Sequence, residues 1–158
     1  MRAFWKIIAT GFGSGYSPLA PGTAGALVAC GLLWGLHVVF PGQFSGGWPQ
    51  SHWLLLLTAF FFFLGVKSAN VLEKEWGHDP SRIVVDEMVG VWIAMLGVPF
   101  SGANLALAFL LFRVFDIWKP LGIRRMERMQ GGWGVMMDDV LAGVYSALVV
   151  HAWLFFNQ

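Results

Sequence analysis

Six carboxylates have the most chemistry to offer in this chain: Asp79, Asp86, Glu87, Asp116, Asp138 and Asp139. All but Asp79 stand where a long apolar stretch begins or ends. An ionised acid in such a place must be paired, hydrated or metal-bound. The four His and the single Cys are scattered at no ligand spacing from these acids. The donor set is therefore all oxygen, which suits a hard cation such as Mg²⁺ and disfavours zinc. Asp79, Asp86, Glu87, Asp138 and Asp139 are the candidate metal ligands. A plainer role exists for acids at helix starts, where they complement the positive dipole end by about 0.3–1 kcal/mol, and Asp138 or Asp139 fits an ordinary cap. That role does not extend to Asp116, at the end of its apolar stretch, where the dipole disfavours a carboxylate.

Arg113, Asp116 and Lys119 are spaced by three and fall along one helical face. Mutual neutralisation is one reading. The other is that two cations around one acid leave positive charge over, which a phosphate dianion satisfies through a planar guanidinium and an ammonium. A flexible stretch, Gly11-Phe12-Gly13-Ser14-Gly15-Tyr16-Ser17-Pro18 followed by Pro21-Gly22-Thr23, precedes the first long apolar run. Backbone N–H groups there, with Gly13, Ser14, Gly15, Ser17 and Thr23 as candidate substrate contacts, are able to cradle a phosphate beside a helix N-terminus. The stretch lacks the Gly-Lys-Ser/Thr of a Walker loop, and no strand surrounds it as a dinucleotide fingerprint requires. A helix-breaking loop packed under the bundle explains it equally well. A His-based relay is disfavoured, because His37, His52, His78 and His151 are dispersed.

The elements that position these groups are apolar helices. Of 158 residues 57% are hydrophobic and 12% charged, against about 25% charged in a soluble domain. Between Lys6 and Lys67 lie sixty positions without a formal charge, which no water-facing surface tolerates. One cysteine excludes a disulfide scaffold, and the apolar mass excludes disorder. A net charge of +1 makes nucleic acid an unsuitable partner. Arg2 and Lys6 ahead of Leu27-Val28-Ala29-Cys30 imitate a lipoprotein signal, but Gly11, Gly13, Gly15, Pro18, Pro21 and Gly22 break the single apolar run such a signal needs.

Span lengths point to an all-α polytopic membrane bundle of about five spans with short loops, at 21–40, 53–71, 83–96, 103–118 and 138–156, forming a single domain over 1–158. Gly31 and Gly35 have the spacing that lets helices approach closely. The third span is short. All ten basic residues fall on one side of this layout, so the positive-inside rule puts the N-terminus and all six acids at the cytoplasmic face. Arg124, Arg125 and Arg128 form a basic face suited to anionic lipid head groups. Trp5, Trp48, Trp53, Trp76, Trp118 and Trp133 stand at predicted boundaries, the usual interfacial belt. A transporter or ion-pathway protein is the competing class; its sites belong near the bilayer midplane between broken or repeated helices, whereas this charged set lies at one end.

In four ordered blocks the chain resembles the phosphatidylglycerophosphatase A family. They are Gly11 to Gly15 with Pro21-Gly22-Thr23; Asp79-Pro80 with Ile83-Val84-Val85-Asp86-Glu87-Met88-Val89-Gly90; Phe112-Arg113-Val114-Phe115-Asp116-Ile117-Trp118-Lys119-Pro120; and Gly131-Gly132-Trp133-Gly134-Val135-Met136-Met137-Asp138-Asp139-Val140-Leu141-Ala142-Gly143. Gly122 departs from the family, which often has a second proline there. The resemblance implies Mg²⁺-dependent removal of the terminal phosphate of phosphatidylglycerophosphate, giving phosphatidylglycerol, at the bacterial inner membrane with the site facing the cytoplasm. Asp86, Glu87, Arg113, Asp116, Lys119, Asp138 and Asp139 are then the expected catalytic residues, Arg113 and Lys119 holding the phosphate. A Mg²⁺-activated water is favoured as nucleophile over an aspartyl-phosphate, because the Asp-x-Asp pattern common in aspartyl-phosphate phosphatases is missing. The long Asp-Gly…Ala-Arg pattern of CDP-alcohol phosphotransferases is also absent.

Overall fold

The computed structural model describes residues 2–48, 50–77, 80–120, 122–126 and 128–157. These residues are helical, with no strand among them: α1 (Arg2–Ala9), a 3-10 turn (Ser14–Tyr16), α2 (Pro21–Val39), α3 (Pro41–Phe44), α4 (Ser51–Trp76), α5 (Val85–Ala94), α6 (Gly102–Trp118), α7 (Ile123–Met126) and α8 (Gly132–Phe156). The expected all-α membrane bundle is present. Three helices, α2, α4 and α8, are long and apolar enough to cross a membrane. The 17 residues of α6 span about 25 Å, at the lower limit for crossing, and the 10 of α5 only about 15 Å, half of a hydrocarbon core.

α5 is short because it is the centre of the molecule. It packs on α2, α4, α6 and α8, and Met88, Val89, Val91, Trp92 and Ala94 are fully or almost fully enclosed. A helix surrounded by others is apolar on every side, as the run from Val89 to Ala94 is. Small residues bring its neighbours close. A methyl on Gly90 would meet the Phe112 ring of α6 at 2.1 Å, and one on Gly143 of α8 would meet the Gly90 carbonyl at 2.6 Å. Trp92 Nε1 donates to the Ala29 carbonyl of α2 at 3.0 Å, so the one polar atom of this buried indole is satisfied.

The packing face of α2 carries Gly25, Ala26 and Ala29. Gly31 and Gly35, expected from their spacing to mediate close approach, face outward, and a methyl at either would touch nothing within 4 Å. Outward faces elsewhere carry Leu27, Phe60, Phe63, Leu110 and Leu148, all more than half exposed, while Asp86, Asp138 and Asp139 are buried. That inversion is the pattern of a bundle solvated by hydrocarbon.

α8 begins at Gly132, six residues ahead of the expected start at Asp138. The early start is a tertiary effect. Gly132 lies so close to α4 that a methyl would sit 2.2 Å from the Val66 carbonyl, and its N–H donates to Asn70 Oδ1 at 2.7 Å. Asn70 of α4 thus caps a helix distant in sequence. Asn70→Ala should lower stability by about 1 kcal/mol, read as a fall in thermal midpoint of the purified protein. An unchanged midpoint would show that the cap is dispensable.

Candidate active site

One pole of the bundle gathers the start of α2, the end of α4, the start of α5, the end of α6 and the start of α8. The contacts Gly22 to Glu87, Val66 to Gly132 and Lys119 to Asp138 fix this arrangement. Asp86 and Glu87 occupy the first turn of α5. They are held deep by the segment before them, where Val84 N donates to the Ala9 carbonyl at 2.8 Å and Val84 and Val85 are fully buried. Asp138 and Asp139 lie in the second turn of α8 rather than at its start, so neither is a helix cap.

Asp86, Glu87 and Asp139 converge: each presents a carboxylate oxygen within 4.8 Å of the other two. Asp86 Oδ1 accepts the Glu87 N–H at 3.1 Å. Glu87 Oε2 is enclosed and has no hydrogen-bond partner among the described residues. At an effective dielectric of about 20, two ionised carboxylates at this separation repel by about 3 kcal/mol. Such a triad could hold a cation, and its hard oxygen donors are of the kind that suits Mg²⁺. Of the other expected ligands, Asp138 adjoins this triad, but its Oδ2 accepts from Lys119 Nζ at 2.6 Å; Asp79 lies outside the described residues.

The cations are arranged differently from the helical spacing. Arg113 Nη1 donates to Asp116 Oδ2 at 2.6 Å, as one reading of the spacing proposed. Lys119 turns away to Asp138 on α8. Its backbone is left-handed, with φ +47°, and its N–H closes α6 on the Phe115 carbonyl. Few residues other than glycine adopt that conformation; here it swings Lys119 out of the helix toward α8. Arg113 thus meets Asp116 and Lys119 meets Asp138, rather than both cations flanking Asp116. The buried Arg113 Nε has no hydrogen-bond partner among the described residues.

The glycine-rich stretch splits in two. Gly15 packs so tightly that a methyl would lie 2.1 Å from the Arg82 carbonyl, and a methyl on Gly11 would lie within 3.0 Å of Met88 and Val84. Ser14 Oγ lies within donating distance of the Thr10 and Gly11 carbonyls. These residues fasten the loop under α5. Gly13 is exposed and Ser17 half-buried. The residue that reaches the acids is Gly22, with Glu87 Oε1 and Arg113 Nη1 against it. Sequence reasoning quoted Gly22 in its motif but did not single it out; its position after Pro21, at the first turn of a helix, was the available signal.

A bundle of apolar helices with acids, an arginine and a lysine gathered at one pole defines a class: an integral-membrane protein with a charged candidate active site. The model of the phosphatidylglycerophosphatase A family matches residues 7–154, and the chain belongs to that family. It is a phosphatase, a phosphoric monoester hydrolase. It is 53% identical to a protein of Bacteroides thetaiotaomicron named putative phosphatidylinositol-3-phosphatase, over 91% of this chain and 89% of that one. The phosphatidylglycerophosphatase A proteins of Escherichia coli and Haemophilus influenzae are 37% and 38% identical, over 93% and 92% of this chain and 81% and 86% of theirs. No solved structure matches the chain.

Proposed function

We propose that this chain removes the terminal phosphate of phosphatidylglycerophosphate, giving phosphatidylglycerol and inorganic phosphate, with Mg²⁺, at the cytoplasmic face of a bacterial inner membrane. The observation that carries this reading is the convergence of Asp86, Glu87 and Asp139 within 4.8 Å, with Arg113 alongside, at the pole where the basic residues gather. Asp86, Glu87 and Asp139 would hold the ion, with Asp138 and Asp79 as further candidates. Bound there, Mg²⁺ supplies the positive charge that a phosphomonoester dianion needs before an oxygen nucleophile can approach it.

The chain's own groups do the rest. Arg113 faces the non-bridging oxygens with its planar guanidinium, held in register by Asp116. Lys119, braced by Asp138, adds charge from the other side of the pole. Thr23, next to Gly22 in the first turn of α2, is a candidate substrate contact, while Ser14 and Gly15 fasten the loop that leads to it under α5. A carboxylate of the cluster takes a proton from water as the water oxygen bonds to phosphorus; the ester P–O bond breaks, and the carboxylate passes that proton to the departing lipid oxygen, which leaves as a hydroxyl. The acyl chains stay in the leaflet while the head group reaches the pole. A midplane relay, as in a transporter, finds no support in charges confined to one end.

The Bacteroides relative raises a second head group, a phosphoinositide. Comparing kcat/KM on phosphatidylglycerophosphate and phosphatidylinositol 3-phosphate in the same mixed micelles tests the choice. The expected ratio favours phosphatidylglycerophosphate by about tenfold or more, about 1.4 kcal/mol of differential transition-state binding. A reversed ratio contradicts the proposed substrate.

A further inference from the structure

We propose that Gly22 is a positioning residue for Glu87: the lack of a side chain lets the first turn of α2 close on the Glu87 carboxylate and hold it toward Asp86 and Asp139. The inference rests on the metal-dependent reading of the triad. A methyl on Gly22 would lie 2.2 Å from Glu87 Oε1 and 3.2 Å from Arg113 Nη1. Carbon and oxygen do not approach to 2.2 Å without bonding, so one of the two elements must yield. Glu87 is the softer. Its Oε2 has no hydrogen-bond partner among the described residues to resist a swing, whereas α2 is pinned one turn on by Gly25, where a methyl would lie 2.6 Å from Val84 Cβ and 2.9 Å from its carbonyl. Gly22 is thus the wall against which one oxygen of the Glu87 carboxylate rests.

Two simple expectations for Gly22→Ala oppose each other. By helix propensity, alanine in place of glycine stabilises a helix. By the contact, it moves Glu87 and weakens the cation site, by about tenfold or more if Gly22 acts as an outer support of a ligand. Mn²⁺ alone, titrated into detergent-purified protein and followed by electron paramagnetic resonance, reads this without turnover. We expect Gly22→Ala to bind Mn²⁺ about tenfold more weakly at a thermal midpoint close to the parent's. Gly22→Ala with Glu87→Asp should recover part of that loss, because the shorter acid clears the methyl. Gly31→Ala, on an outward face of α2 where a methyl would meet no described atom within 4 Å, should leave both the midpoint and Mn²⁺ affinity near the parent's.

If Gly22→Ala does not fold, folding and Mn²⁺ binding regained in the double variant support the same contact. Parent-like Mn²⁺ affinity in Gly22→Ala overturns the inference alone, as does a double variant no better than Gly22→Ala. A parent protein that binds no Mn²⁺ overturns the metal reading and the inference with it.

Discussion

Asp139→Asn, and equally Asp86→Asn, should lower phosphate release on the order of 10²-fold or more while the protein still inserts and folds. Asparagine keeps the volume of each side chain in its place, 3% and 7% exposed, so packing is undisturbed. What changes is charge. With no cation bound, three carboxylates within 4.8 Å oppose one another, and removing one relieves repulsion of about 3 kcal/mol per ionised pair. The variants should therefore be no less stable than the parent in chelator, and more weakly stabilised by Mg²⁺, since binding to the folded state alone is what raises stability. Thermal midpoints with and without Mg²⁺ check this alongside turnover. Full activity in Asp139→Asn would make that acid a structural residue.

The second large effect concerns Arg113 and Asp116. If Arg113 serves only to neutralise Asp116, replacing both by methionine leaves no uncompensated ion, and the double variant should regain what each single change loses. The site reading requires the opposite. Arg113→Met with Asp116→Met should be folded, inserted and inactive, because the phosphoryl oxygens still lack their guanidinium. Arg113→Lys should also be poor, since an ammonium keeps the charge and loses the planar two-point fit. Substantial phosphatase activity in the double variant would remove both residues from the site.

Much of this site was legible in the sequence because membrane burial makes acids conspicuous. Asp86, Glu87, Asp116, Asp138 and Asp139 could be grouped from their place at the ends of apolar stretches, though not which three of them converge. Helix boundaries hid the rest. Gly131-Gly132-Trp133-Gly134 reads as a turn by propensity, yet Asn70 and the Val66 backbone hold Gly132 in a helix, which moves Asp138 and Asp139 inside α8. Spacing tied Lys119 to Asp116, and only the left-handed backbone at Lys119 sends it to Asp138. The glycine-rich stretch showed flexibility without showing which glycine meets what. Gly15 proves to be packed on Arg82, and Gly22, one helix turn from Gly25, touches the acids. Such contacts depend on how α2 lies across α5, which no local pattern encodes.

The most direct test of the account is phosphate release from phosphatidylglycerophosphate by the purified protein in mixed micelles. It would be measured in EDTA, then after Mg²⁺ is restored, beside the Asp139→Asn variant. The account predicts equimolar phosphate and phosphatidylglycerol from the parent, loss of both in EDTA, recovery with Mg²⁺, and on the order of 10²-fold less from the variant. Release that is indifferent to EDTA, or undiminished by Asp139→Asn, would contradict it.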